Sequence, residues 1–387
     1  MTTNTGRNAF LLLIKRICFG MLKIAAAGIC ALFASAILYL LLFGGNQGQK
    51  LSASSAQYEI SNAFDDYVTN AISNAAEGFI HINKVYKLND YNPVAPVPNE
   101  AAYTVTQEPE SLEAILETVR PRLNGDDFFF RPDTTIFDGS EITYFLDDTI
   151  FSVTWKEVIN YGVYTFSEIK IEHPSQFRRF LADNRFGSEK QYLTSQMAAS
   201  VNAVVASSGD FYKYRQDGMV VYNRKIERFN TTDLDTCFID GNGDLIFAYA
   251  HEFEDIAALE QHIEDKDIRF SLCFGPVLIE DGESKVPKQY RLGEISGKYA
   301  RAAICQLGPL HYLLVTANNE VPYVSFPTVK QFSNTLLQRG IEKAYTLDGG
   351  QTATIVMNNK VINQVSYGAE RYISDIVYFA TALPNKE

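Results

Sequence analysis

The sequence predicts an α+β fold: one large, twisted mixed sheet with flanking helices, preceded by a single transmembrane helix and a helical stalk. Three observations point there. After about Asp138, period-two runs of β-branched and aromatic residues recur, as in IFSVTW (150–155) and VYTFSEIKI (163–171). Two helix-then-strand units interrupt them. Near the N-terminus, an uncharged apolar run is long enough to cross about 30 Å of hydrocarbon.

That run extends from Ile24 to Phe43. Residues 1–50 contain no Asp or Glu, and Arg7, Lys15, Arg16 and Lys23 precede the run. Positive charge on the N-terminal flank places the N-terminus in the cytoplasm and the rest of the chain outside. A cleaved signal peptide is the alternative, but its apolar core is usually about 7–15 residues and ends at a small-residue site. From Ile60 to Phe79 apolar residues fall at helical spacing, which reads as a stalk that packs on the domain or pairs with a second copy. NPVAPVPN (92–99) reads as an extended linker, and Ser111–Val119 as a short helix stopped by Pro121. The chain therefore divides into a cytoplasmic basic tail (1–23), a transmembrane helix (24–43), an extracytoplasmic stalk and linker (44–138) and a main domain (139–387).

Composition excludes some function classes. The whole chain has 34 basic and 46 acidic residues, a net charge of −12. Setting aside the four basic residues of the tail leaves 30 basic and 46 acidic, a net charge of −16. Such a surface does not suit nucleic acid, and an anionic ligand would need a local arginine cluster. Cys237, Cys273 and Cys305 form no CxxC pair and read as buried free thiols. IDGNGDL (239–245) lacks the downstream Glu of a calcium loop and reads as a hairpin turn. His311, in an apolar run, reads as a core or supporting histidine. No Ser-His-Asp spacing, HExxH or Walker loop is present.

The helix–strand units carry the candidate site. In the first, Ser188 and Gln191 fit a capping box, Leu193, Met197 and Val201 line a helix face, and the chain runs through AVVAS to Gly209-Asp210. In the second, Thr328 and Gln331 fit a capping box, Gly340 a helix stop, and AYTL leads to Asp348-Gly349-Gly350. Each unit delivers an Asp just beyond a strand. If the two strands are neighbours in one sheet, both carboxylates share the edge where α/β sheets bind ligands. The glycines serve either a tight turn or close backbone approach of a ligand. Arg301 and Arg371, each entering an apolar segment, either pair with carboxylates or grip phosphate.

Four spaced blocks together resemble the phosphodiester glycosidases. This family includes the lysosomal enzyme that removes N-acetylglucosamine from mannose 6-phosphate diesters, and bacterial envelope proteins. The blocks are VVASSGDFY (204–212), FGPVLIEDGE (274–283), RAAICQLGPLHYLLVT (301–316) and AYTLDGGQTATIV (344–356), with Glu370-Arg371 following. The resemblance covers Ile150 to Pro384, about 60% of the chain. Departures fall at Ser208 (Asn in the family), Asp210 (often Gly), Thr346 (Asn), and Thr352 and Ala353 (paired serines).

The resemblance implies hydrolysis of a sugar C1–O bond in a glycosyl phosphodiester through an oxocarbenium-like transition state. It implies Asp348 and Asp210 as catalytic carboxylates, and Arg301 and Arg371 as phosphate ligands. Gly349, Gly350, Thr346, Ser208, Gly209 and Thr352 would make further substrate contacts. No cofactor is required by this chemistry; if a metal is used, clustered carboxylates suit calcium or magnesium, with Asp210 and Asp348 as its ligands. The partner is then a glycan or sugar-phosphodiester of envelope or exopolysaccharide material. A non-catalytic polysaccharide-binding module and a metal-dependent phosphodiesterase cleaving P–O are the alternatives.

Overall fold

The computed structural model describes residues 79–383, apart from 83–84, 124–126, 161, 231–232, 291–294 and 320–324. The tail, the span at 24–43 and most of the stalk lie outside the described residues. Phe79, the expected end of the stalk helix, instead begins a strand, Phe79–Ile82, paired with Val85–Leu88. Among the described residues no helix is long and apolar enough to cross a membrane.

The larger of two main sheets has nine strands. From one edge these are Glu283–Ser284, Val277–Glu280, Lys343–Leu347, Arg301–Gly308, His311–Asn318, Gly162–Ile171, Ile150–Ile159, Ile142–Leu146 and Tyr103–Thr106. Every ladder in it is antiparallel, which corrects the expectation of a mixed sheet. Tight turns join Ile142–Leu146, Ile150–Ile159 and Gly162–Ile171, and such turns permit only antiparallel neighbours. The second sheet has five strands in the order Lys360–Val361, Ile355–Met357, Val205–Ser208, Asp375–Phe379 and Phe177–Leu181.

Both faces of the large sheet are covered. On Arg301–Gly308, Ala302 and Ile304 join the core shared with the five-stranded sheet, through Val205, Ile355 and Val377. The alternate residues Ala303 and Cys305 join the opposite core, with Phe332 and Leu336 of the helix Val329–Gln338 and Leu116 and Val119 of the helix Glu113–Val119. Burial on both sides explains why these strands read as nearly continuous apolar runs. The charged Glu168 inside them is satisfied: it accepts from Phe129 N (2.8 Å) and Phe130 N (2.7 Å) and pairs with His311 Nε2 at 2.7 Å. His311 is thus a core residue, as its setting implied. IDGNGDL is a hairpin turn closed by the Asp240 side chain, and the three cysteines are free and buried.

The expected boundary at 139 falls inside this architecture. Tyr103–Thr106 is the sheet's last strand, and Leu112, Leu116 and Val119 belong to its core. NPVAPVPN is not a free linker. Val94 and Ala95 are buried, Ala95 N donates to Val201 O at 3.1 Å, and Asn202 Nδ2 donates to Ala95 O at 2.8 Å. Just before it, Arg269 holds Asp90 through Nη2 (2.6 Å) and Nε (3.1 Å), and Arg178 Nη2 donates to Asn89 O at 2.7 Å. Prolines fix the extended shape, and these bonds strap it to the domain.

Asp90→Ala would leave the Arg269 charge, 5% exposed, without its partner. We expect a loss of about 3 kcal/mol in urea unfolding. A free linker would lose less than about 0.5 kcal/mol.

Candidate active site

The strands that deliver the two aspartates are not neighbours. Val205–Ser208 lies in the five-stranded sheet between Ile355–Met357 and Asp375–Phe379. Lys343–Leu347 lies in the nine-stranded sheet between Val277–Glu280 and Arg301–Gly308. The sheets pack face to face, so the strand ends meet across the layer. Asp348 N donates to Gly209 O at 2.9 Å, and Ser208 Oγ donates to Asp348 O at 3.1 Å. The two motifs do converge, through a backbone junction between sheets rather than along one sheet edge.

Local sequence sets each end. Thr328 and Gln331 form the expected capping box (Gln331 N to Thr328 Oγ1, 3.2 Å), and Gly340 ends the helix in the left-handed region. The box expected at Ser188 and Gln191 does not form. Ser188 Oγ donates to Asp183 at 2.6 Å, and the helix begins only at Thr194. Its start is held by Glu370, which accepts from Ser195 N (3.0 Å) and Ser195 Oγ (2.6 Å). Two glycines are required by close approach. A Cβ on Gly349 would lie 2.7 Å from the Ala300 carbonyl oxygen, and one on Gly209 would lie 2.4 Å from Asp375 Oδ2. Gly350 N donates to that same Ala300 oxygen at 2.7 Å.

Asp210 lies beneath the junction. Its Oδ1 accepts from Phe211 N (2.5 Å) and its Oδ2 from Cys273 N (2.7 Å) and Arg179 Nη2 (3.5 Å). Arg179 Nε also donates to Asp375 Oδ2 at 2.8 Å, and Asp375 in turn accepts from Asp210 N at 3.1 Å. All three side chains are fully buried. Two carboxylates face one guanidinium. Burial pushes the Asp375 carboxyl up, against the pull of Arg179 and with the push of Asp210. Burial disfavours the Arg179 charge, but Asp375 and Asp210 outweigh it and hold that guanidinium charged. Asp210 is therefore a structural carboxylate with both oxygens engaged. As a calcium or magnesium ligand it would have to give up these bonds. Among the described residues no three His, Cys, Asp or Glu side chains converge as a metal-binding group.

Asp348 is different. It lines a cavity of about 480 Å³ with Thr346, Gly349, Gly350, Arg301 and Arg371. Aromatic walls come from Phe211, Tyr214, Phe274, Tyr290 and Tyr299. Burial pushes the Asp348 carboxyl up to about 7, with Thr352, Arg215 and Arg371 pulling it down and Asp210 pushing it up. The Thr352 hydroxyl also donates to Gly349 O at 2.6 Å.

The remaining expected residues divide. Arg371 is exposed at the cavity, with its guanidinium over the rings of Phe211 (5.7 Å) and Tyr214 (5.6 Å). Arg301 also lines the cavity, but it is 7% exposed and donates to the carbonyls of Pro327 (Nε, 3.3 Å) and Gly297. Thr346 spends its hydroxyl on Pro276 O at 2.8 Å. Ser208 and Gly209 build the junction and do not line the cavity.

Sequence reasoning missed Arg179, Asp375 and Arg215. Asp375 carried a signal, as a lone charge inside the apolar run YISDIVYF. Arg179 had none: only the strand register, which sets Arg179 diagonally across from Asp375, brings the two together. Arg215 had none beyond its closeness to the block at 204–212.

Comparison with known proteins points to one family. The phosphodiester glycosidase family matches residues 201–380, which contain the junction, Asp348 and the cavity arginines Arg215, Arg301 and Arg371, but not Arg179. A 110-residue segment is 27% identical to the SPbeta prophage-derived uncharacterized protein YomE of Bacillus subtilis (strain 168). It covers 28% of this chain and only 17% of that relative. Among solved structures, the zebrafish N-acetylglucosamine-1-phosphodiester alpha-N-acetylglucosaminidase catalytic domain, auto-inhibited by its pro-peptide, aligns with a TM-score of 0.48. It is 17% identical, over 61% of this chain and 84% of that one. A hypothetical protein from Synechocystis aligns with a TM-score of 0.45 and 12% identity, over 64% of each chain.

The raised carboxyl makes a stability prediction. An unfolded Asp titrates near 4. Between about 4 and 7 the folded chain therefore binds more protons at Asp348 than the unfolded chain does. The contribution of this group to stability falls as pH rises through that window and stays lost above it. Asp348→Asn removes the penalty. The variant should gain roughly 2–4 kcal/mol over the parent at pH 8, and the difference should vanish near pH 4. Denaturant unfolding at both pH values checks this, and an unchanged difference would contradict it.

Proposed function

We propose that this chain, whose residues 201–380 belong to the phosphodiester glycosidase family, is a hydrolase that cleaves the sugar C1–O bond of a glycosyl phosphodiester. The observation that carries the reading is a carboxyl held near pH 7 in an arginine-lined aromatic cavity, within the family match.

Asp348 supplies a proton where the leaving oxygen departs. A phosphate monoester is already a good leaving group, so modest acid assistance suffices, and placement of charge matters more. Arg371 and its neighbours neutralise the phosphodiester. The aromatic walls stack on sugar faces and exclude water. Among the described residues that line the cavity, Asp348 is the one carboxylate. After proton transfer it is an anion beside the developing oxocarbenium charge, and it can then take a proton from the attacking water. Asp210 acts through the junction, as a positioning group.

From the apolar run and its positive N-terminal flank, we place the domain outside a membrane crossed by residues 24–43, where envelope glycans are the substrates within reach.

The test incubates the full chain with N-acetylglucosamine-α-1-phospho-6-mannose. We expect free N-acetylglucosamine and mannose 6-phosphate, with activity falling as pH rises through about 7. Asp348→Asn should lose about 10²–10³ in kcat. Sugar 1-phosphate as product would instead indicate P–O cleavage. Saturable glycan binding without turnover would indicate a binding module. Equal rates from parent and variant would remove Asp348 from the chemistry.

A further inference from the structure

We infer that Arg215 is the anion-recognising residue of this cavity, and that it takes two oxygens of a phosphodiester on its Nε/Nη2 edge. The inference rests on the reading that the cavity binds a glycosyl phosphodiester, and it assigns the phosphate to a residue outside the four sequence blocks.

Arg215 lines the cavity with Asp348 and Arg371. It lies over the rings of Phe211 (5.3 Å) and Phe274 (4.5 Å). Its Nη1 donates to the carbonyls of Phe274 (3.1 Å) and Cys273 (3.4 Å). Two rings and two carbonyls fix the plane and orientation, so little rotamer entropy is left to lose on binding. Both of these hydrogen bonds leave from Nη1. Among the described residues no atom accepts from Nε, although that nitrogen is buried. A buried guanidinium N–H without an acceptor costs about 1–3 kcal/mol, and a phosphate oxygen removes that cost. Nε and Nη2 form the parallel pair of donors that matches two oxygens of one tetrahedral anion.

Its neighbours divide the work. Arg301 has its guanidinium on the Pro327 and Gly297 carbonyls. Arg371 is exposed and stacked on Phe211 and Tyr214, which suits attraction of the anion at the mouth. Arg215 also pulls the Asp348 carboxyl down by its charge. An anion on Arg215 offsets that pull, so Asp348 holds its proton more tightly when substrate is bound.

The test is calorimetric titration of the full chain with inorganic phosphate, for the parent, Arg215→Lys and Arg301→Lys. Lysine keeps the charge and a cation beside the rings but removes the fork, and unfolding midpoints report whether each variant folds. We expect Arg215→Lys to weaken phosphate binding by about tenfold or more and Arg301→Lys by less than about threefold. Equal affinity in the parent and Arg215→Lys would overturn the inference, as would a larger effect of Arg301→Lys or no phosphate binding by the parent. The two readings fail separately. Arg215-dependent phosphate binding without sugar release sinks the hydrolase and leaves this assignment standing. Sugar release with unchanged KM in Arg215→Lys does the reverse.

Discussion

Two hydrogen bonds at one point, Asp348 N to Gly209 O and Ser208 Oγ to Asp348 O, join the strand ends of the two sheets. Most of the site depends on this junction. It requires Gly209 and Gly349 to have no side chains, because Asp375 and the Ala300 carbonyl occupy the space. It puts the Asp348 carboxyl over a closed interior on one side and a cavity on the other. It also ties the cavity floor to both sheets, which share one packed core, with a second core on the outer face of the nine-stranded sheet. A site on such a floor keeps its geometry better than one on loops alone.

Charge beneath the junction shapes chemistry above it. Arg179 faces Asp210 and Asp375 together, so the buried cluster has one more carboxylate than cations. Asp210 is among the groups that push the Asp348 carboxyl up, while Arg215 and Arg371 on the cavity side pull it down. Burial decides the balance. The result is a carboxyl that titrates close to neutral pH, where a group can both give and recover a proton. The same surroundings make a doubly anionic pair of Asp348 and Asp210 costly, which fits their separate roles better than a shared metal or a two-carboxylate mechanism.

Much of this was legible in the sequence where the signal was local. Period-two runs marked Ile150–Ile159 and Gly162–Ile171, the Thr328 cap and Gly340 stop marked a helix, and Asp348-Gly349-Gly350 marked the junction. Nonlocal facts were not legible. Nothing local says that Val205–Ser208 and Lys343–Leu347 lie in different sheets, or that all ladders of the large sheet are antiparallel. The Ser188 cap failed because the side chain found Asp183, and the helix start found Glu370, far away in sequence. The proline-rich segment reads as extended in any setting; whether it is free depends on Arg178, Arg269 and Asn202, which no window around it contains. Arg215 differs from any other loop arginine only by the rings of Phe211 and Phe274 packed beside it.

The central claim is that the junction holds the Asp348 carboxyl protonated near neutral pH. Carbon-13 NMR titration of the aspartate side-chain carboxyls, assigned with Asp348→Asn, measures this directly. The account predicts a midpoint near 7 for Asp348. A midpoint near 4, the value of a solvated aspartate, would contradict it.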